Sequence, residues 1–201
     1  MGLTASFLLL SCHSGKKATK SKYSATHTTE KNYVSEPGNP PNNSNQRKSK
    51  RSATNEPALQ QNAIAEEYAS KLGVSTNDIT NYKLYNFIST WYGTPYKFAG
   101  RSRAGVDCTD LVSLLFQSIY GITLSGNVTD MYRRCKPITP SELREGDLIF
   151  FKINSKSLSH IAIYLQNHKF VHASVHSGVV IDDLGEDYYK RYFWGAGRVV
   201  K

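Results

Sequence analysis

Three helical periods are followed by a run of short strand-like segments. Over residues 57–72, apolar side chains fall at Leu59, Ala63, Ile64, Tyr68 and Leu72, and Gly73 closes the run as a C-cap. After Ser75-Thr76-Asn77-Asp78, a second helix carries Leu84, Phe87, Ile88 and Trp91 on one face and ends near Gly93. The third starts at Cys108. Leu111, Leu114, Leu115 and Ile119 recur at helical spacing, and Val112 and Phe116 widen the apolar face until little of it stays polar, so this helix is predicted to be buried. Residues 127–140 read as polar and irregular. Past the turn Glu145-Gly146-Asp147 come an apolar strand at 148–151 and strand-like runs at 160–165, 169–174, 178–182 and 195–200, with a short helix at 186–193. Helices first and hairpin-linked strands second predict the α+β class, with helices packed on one antiparallel sheet of about five to six strands.

The N-terminal quarter has a different composition. Residues 1–12, MGLTASFLLLSC, are an apolar run ending in Ser-Cys and followed at once by polar sequence. This reads as a shortened lipoprotein-type signal with Cys12 as the lipidated residue, although it lacks a Lys or Arg before the apolar run. Met1-Gly2 with Ser6 also fits the looser myristoylation pattern. Residues 13–56 are rich in Ser, Thr, Asn and Lys, too poor in apolar side chains to build a core, and are expected to be a disordered basic tether. That tether would span roughly 35–40 Å on average. Residues 57–201 are the predicted folded domain.

The formal charge of +9 is unevenly placed. Residues 13–56 hold nine Lys/Arg against three Asp/Glu, whereas residues 57–201 hold sixteen against thirteen. The basic run Arg47, Lys48, Lys50, Arg51 sits in a polar tract with few aromatics, which reads as a solvated segment and not as a nucleic-acid site. Three cysteines at positions 12, 108 and 135 exclude a disulfide framework and a zinc cluster.

Cys108 follows a glycine-rich approach (Gly93, Gly100, Gly105). It falls in the first turn of its helix, with Asp107 as N-cap and Asp110 at N3, a variant of the capping box. Unpaired backbone N–H groups there favour a thiolate. Taken alone, a buried cysteine reads more readily as a small hydrophobe; its place at a helix start after a glycine-rich approach brings the reactive reading level with that one. Cys135, between Arg134 and Lys136, has basic neighbours that would lower its pKa but no base nearby in sequence.

A nucleophilic thiol needs a base and a group to orient that base. His13 and His27 lie in the tether and His168 in a hairpin turn, leaving His160, His172 and His176. If the loop Gln166-Asn167-His168 joins its strands with an odd count, Ala162 pairs with His172 and His160 with Ser174. Both imidazoles then share one face of the sheet; a two-residue loop would separate them. His176 has the same parity and is an alternative orienting residue.

With these residues in place, the chain resembles the NlpC-type family of papain-like cell-wall cysteine peptidases. The resemblance covers residues 82–200 and is carried by GTPYKFAG, GVDCTD, GDLIFF, SHIAIYL and KFVHAS in order. It implies a papain-like fold with the catalytic cysteine at the N-terminus of the buried helix. It further implies Cys108 as nucleophile, His160 as general base, His172 as the residue orienting it, Tyr96 as an oxyanion donor, and Asp107 and Thr109 as cleft-lining residues. The implied substrate is the peptidoglycan stem peptide, cut between D-glutamate, through its γ-carboxyl, and a diamino acid, by a monomer that uses no metal and no cofactor. The sequence departs from the family at Asp110, where the Asp-Cys-Ser-Gly motif usually ends in Gly. Together with Cys12, the resemblance implies a protein anchored in the lipid bilayer on the periplasmic side of the bacterial envelope, with the outer membrane as the expected site. Two further readings share the fold: an amidase cutting between the sugar lactyl group and the first L-alanine, and a wall-binding module without activity.

Overall fold

A computed structural model describes residues 56–200; Cys12 and residues 13–55 lie outside the described residues, and Glu56, expected to end the tether, opens the first helix instead. Helix α1 (Glu56–Leu72) buries Ile64, Ala65, Tyr68, Ala69 and Leu72 and ends at Gly73, whose φ of +66° suits a glycine. The expected stripe is therefore displaced: Leu59 is 65% exposed, because only the last turns of α1 reach the core. Helix α2 (Tyr82–Trp91) is capped by Asn81 and buries Leu84, Tyr85 and Ile88, with Phe87 and Trp91 stacked beside them.

A small hairpin, β1 (Arg101–Ser102) with β2 (Gly105–Val106), leads into α3 (Cys108–Tyr120). Asp107 caps α3 by accepting from Asp110 N at 2.8 Å. The reciprocal half of the predicted capping box does not form, because the Asp110 carboxylate turns outward to Arg101. The passage at 127–140 is more ordered than its composition suggested: it contains α4 (Val128–Arg133) and the edge strand β3 (Cys135–Ile138). Helix α4 is made by a polar capping box between Asn127 and Asp130 and buries only Val128 and Met131. Six residues are too few to show a helical period. Pro137 removes a ladder donor, which an edge strand tolerates.

The other strands are β4 (Leu148–Phe151), β5 (His160–Tyr164), β6 (Lys169–Ser174), β7 (Gly178–Asp183) and β8 (Phe193–Val199), with α5 (Asp187–Tyr192) before the last. They form one sheet, ordered β3-β8-β4-β5-β6-β7, with every neighbour antiparallel. Helix α3 packs across β5 and β6. On that face Ile161, Ile163, Val171 and Ala173 join the main core. On the opposite face Phe151, Ala162, Phe170 and Tyr189 form a second, smaller core under α5. Burial on both faces explains why the 148–151 strand reads as an unbroken apolar run.

Candidate active site

The β5–β6 hairpin has the odd loop. Ile163 pairs with Val171 and Tyr164 with Phe170, and Leu165 and Lys169 close around Gln166-Asn167-His168. Asn167 and His168 take positive φ values of 49° and 63°, which supply the extra residue's turn. This register puts His160 and His172 on one face, and His160 Nε2 lies 2.7 Å from His172 Nδ1. The two rings meet edge to face and are 7% and 3% exposed. Phe151 backs the His160 ring and Phe170 the His172 ring.

His172 is itself held. His172 Nε2 lies 2.8 Å from Asp182 Oδ2, and the Tyr189 hydroxyl donates to the same oxygen. These hydrogen bonds keep the Asp182 carboxyl below the usual carboxylate range, that from His172 being the largest effect. Asp182 was not among the residues read from the sequence. The turn Val175-His176-Ser177 is also a three-residue loop, so the parity argument that joined the two histidines would have placed Asp182 on their face as well. His176 stands exposed in that turn, so it is His172 that contacts His160, and Asp182 in turn holds His172.

The thiol arrives from the other side. Cys108 opens α3 and is 7% exposed, and the backbone N–H of Ile161, the residue after His160, is directed at its sulfur. The sulfur thus sits at the start of the strand that His160 opens. Burial pushes the thiol up to about 11, and the Asp107 carboxylate adds to the rise. The N–H groups of Ile161, Thr109 and Cys108 itself pull the other way. Here burial outweighs the helix-start donors that were expected to favour a thiolate. Burial, and then the neighbouring His172, hold His160 well below an ordinary histidine, against an opposing pull from Asp182. Both shifts favour the uncharged form, a thiol at Cys108 and an imidazole at His160.

Tyr96, Phe98, Asp107, Cys108 and Thr109 line a cleft of about 420 Å³, closed on the far side by Gly126-Asn127-Val128 and by Ser159. Tyr96 stands near the sulfur: its hydroxyl is raised by burial first, then by the charges of Cys108 and Asp107. The Tyr96 loop is fixed from behind. Gly178 has a φ of +72°, and a Cβ there would lie 2.3 Å from the Thr94 carbonyl oxygen, while Val179 N donates to that oxygen at 2.9 Å. Asp107 is spent structurally, accepting from Ala99 N, Thr109 Oγ1 and Asp110 N at 2.8–2.9 Å. A second cavity, of about 260 Å³, lies on the imidazole side, between His160, His172, His176, Asn154 and Tyr188.

Cys135 takes no part. It sits on β3, where its thiol donates to Met131 O, and burial raises it to about 12 over the small lowering by Arg134, opposite to the expectation from its basic neighbours. Among the described residues no group of three or more His, Cys, Asp or Glu is arranged to hold a metal, and no helix is long and apolar enough to cross a membrane.

A cysteine at the start of a buried helix, facing an antiparallel sheet that carries a hydrogen-bonded imidazole pair, defines a papain-like domain. Residues 93–198, more than half of the chain, match the NlpC/P60 family, and the chain belongs to that family. It is 32% identical over 117 residues to a Haemophilus influenzae protein named probable endopeptidase NlpC homolog, covering 58% of this chain and 62% of that one. It is 36% identical over 110 residues to the Escherichia coli protein named murein DD-endopeptidase MepS/murein LD-carboxypeptidase, covering 55% of this chain and 58% of the relative. The chain thus spans about three fifths of the length of these two relatives. A Staphylococcus aureus structure described as similar to lipoprotein, NLP/P60 family, superposes with a TM-score of 0.55 at 30% identity, over 60% of this chain and 41% of that one.

Proposed function

We propose that this protein is a cysteine endopeptidase of the bacterial cell envelope that cleaves murein stem peptides. The observation that carries the reading is the buried sulfur of Cys108 at the first residues of β5, the strand whose opening residue, His160, has its Nε2 tied to a second imidazole. As Sγ attacks the amide carbonyl carbon, its proton passes to His160 and the carbonyl pair moves to oxygen. The oxyanion is held by the Cys108 N–H and the Tyr96 hydroxyl, donors of the kind whose loss typically costs ~10²–10³ in rate. Collapse breaks the C–N bond, and His160 gives the proton to the leaving amine. Water then hydrolyses the thioester, releasing the acid and restoring the thiol. The cleft beside Cys108 takes the acyl portion; the cavity beside His160, His172 and Tyr188 takes the amine portion, which must reach His160 to be protonated.

The bond cut is the γ-D-glutamyl–diamino acid bond. A DD-bond is the second reading, favoured by the name of the Escherichia coli relative, a murein DD-endopeptidase. Lipidation at Cys12 would hold the domain to the bilayer on the periplasmic side, with residues 13–55 as the tether. Purified muropeptides incubated with the wild-type chain and with Cys108→Ala, then analysed by mass spectrometry, test the reading. A new amine terminus at the diamino acid is expected with wild type alone. Fragments cut at a DD-bond or at the lactyl–L-alanine amide would assign the other bonds, and unchanged muropeptides would reject the enzyme.

A further inference from the structure

We propose that Asp182 is a positioning residue of the site, setting through His172 which nitrogen of His160 is left bare to face the thiol. The inference rests on the peptidase reading only for its purpose, since its geometry is independent of any substrate. Asp182 on β7 lies diagonally across the register from His172, because Phe170 pairs with Asp182 and His172 with Val180. Its Oδ2 lies 2.8 Å from His172 Nε2, and the Tyr189 hydroxyl donates to the same oxygen, with Tyr189 8% exposed and packed on Phe170.

An ionised carboxylate only accepts, so the proton between it and His172 resides on Nε2. A neutral His172 then offers a bare Nδ1, which also only accepts. The contact of 2.7 Å to His160 Nε2 therefore requires the His160 proton to be on Nε2. His160 Nδ1 is left unprotonated, as a general base must be. Without a fixed acceptor at Asp182, the His172 proton is free to move to Nδ1. His160 would then have to accept at Nε2 and carry its own proton on Nδ1, where it blocks the base. In a triad of the same logic, the wrong tautomer alone lowers kcat by about 10⁴. The hydroxyl of Tyr189 occupies a second lone pair of Asp182 and holds the carboxylate in the plane that His172 needs.

The test uses the full-length chain labelled with ¹⁵N-histidine at pH 7.5, comparing wild type with Asp182→Ala, Asp182→Asn and Tyr189→Phe. Two readouts that need no murein are the two-bond ¹H–¹⁵N spectra of the imidazoles and the rate of Cys108 alkylation by iodoacetamide. Wild type is expected to show both rings as the single Nε2–H tautomer. Asp182→Ala should show Nδ1–H signal from both rings, with alkylation slowed about a hundredfold, the low end of the ~10²–10⁴ a positioned base supplies. Asp182→Asn keeps the shape but can present its NH₂ donor to His172 Nε2, so it should shift both tautomers in the same direction as alanine; it replaces the alanine variant if that one does not fold. Tyr189→Phe should keep the tautomer and slow alkylation only a few-fold. A proton on His160 Nδ1 in wild type, or an Asp182 variant with wild-type tautomers and alkylation rate, overturns the proposal. Wild-type tautomers as expected with intact muropeptides would instead reject the peptidase reading and leave this one standing.

Discussion

Arg101, on the hairpin that leads to Cys108, forms an ion pair with Asp110 in the first turn of α3, and the same guanidinium reaches Ser113 Oγ at 3.3 Å. Asp110 is the position at which this chain departs from the family's glycine. An uncompensated carboxylate on the cleft wall would repel an acidic stem peptide and disfavour a thiolate. Arg101 offsets that charge, so the departure comes with its own counterion.

The pair has a measurable consequence. The Arg101 side chain is 56% exposed, so its strength is that of a screened surface pair, on the order of 0.2–1 kcal/mol. Arg101→Ala should lower kcat/KM on muropeptides by on the order of two- to fivefold, more at low salt than at high. Adding Asp110→Gly should restore it. Equal losses in the single and double variants would show that the carboxylate does not face substrate.

On the proposed mechanism, Tyr96→Phe removes one of two oxyanion donors while leaving the ring on the cleft wall. The expected result is a fall in kcat of ~10²–10³ with KM nearly unchanged. A rise in KM at constant kcat would make Tyr96 a binding residue only.

His160 gives the fold a pH dependence. Above pH about 6.5 a histidine is neutral in both the folded and the unfolded chain. Below it, the unfolded chain takes up a proton that buried His160, with its lowered pKa, refuses until the pH is lower still. Stability tied to this residue is therefore full above about pH 6.5 and is lost as the pH falls towards the folded-state value. Urea midpoints measured from pH 7.5 to 4.5 should drop for wild type and drop less for His160→Gln.

Gly178 joins stability to activity. Any side chain there meets the Thr94 carbonyl and a backbone φ of +72°. Gly178→Ala should destabilise by about 1–3 kcal/mol in urea unfolding. Because it pushes on the loop that carries Tyr96, it should also slow turnover beyond what its stability loss explains. A variant with wild-type stability would mean that the loop yields freely.

Several features were readable from residue order alone. Helical spacing from Leu111 to Ile119 marked a buried helix, and side-chain alternation with an odd loop put His160 and His172 on one face. Both follow from fixed geometric periods of the backbone, which need no knowledge of neighbours. The 127–140 passage was not readable, because α4 and β3 are held by a local capping box and a sheet edge, and leave no apolar rhythm.

Tertiary structure decided what depends on distance and burial. The charge state of Cys108 is one case: the helix-start donors are visible in the sequence, but the burial that outweighs them exists only once α3 packs across β5 and β6. Asp182 is the other. Asp182 and Asp183 are adjacent acids in one strand, and the pairing of β7 with β6 sends the first to His172 and the second to Lys169. Periodicity assigned each side chain to a face. The energy of its environment was set by which other segments the fold brought against that face.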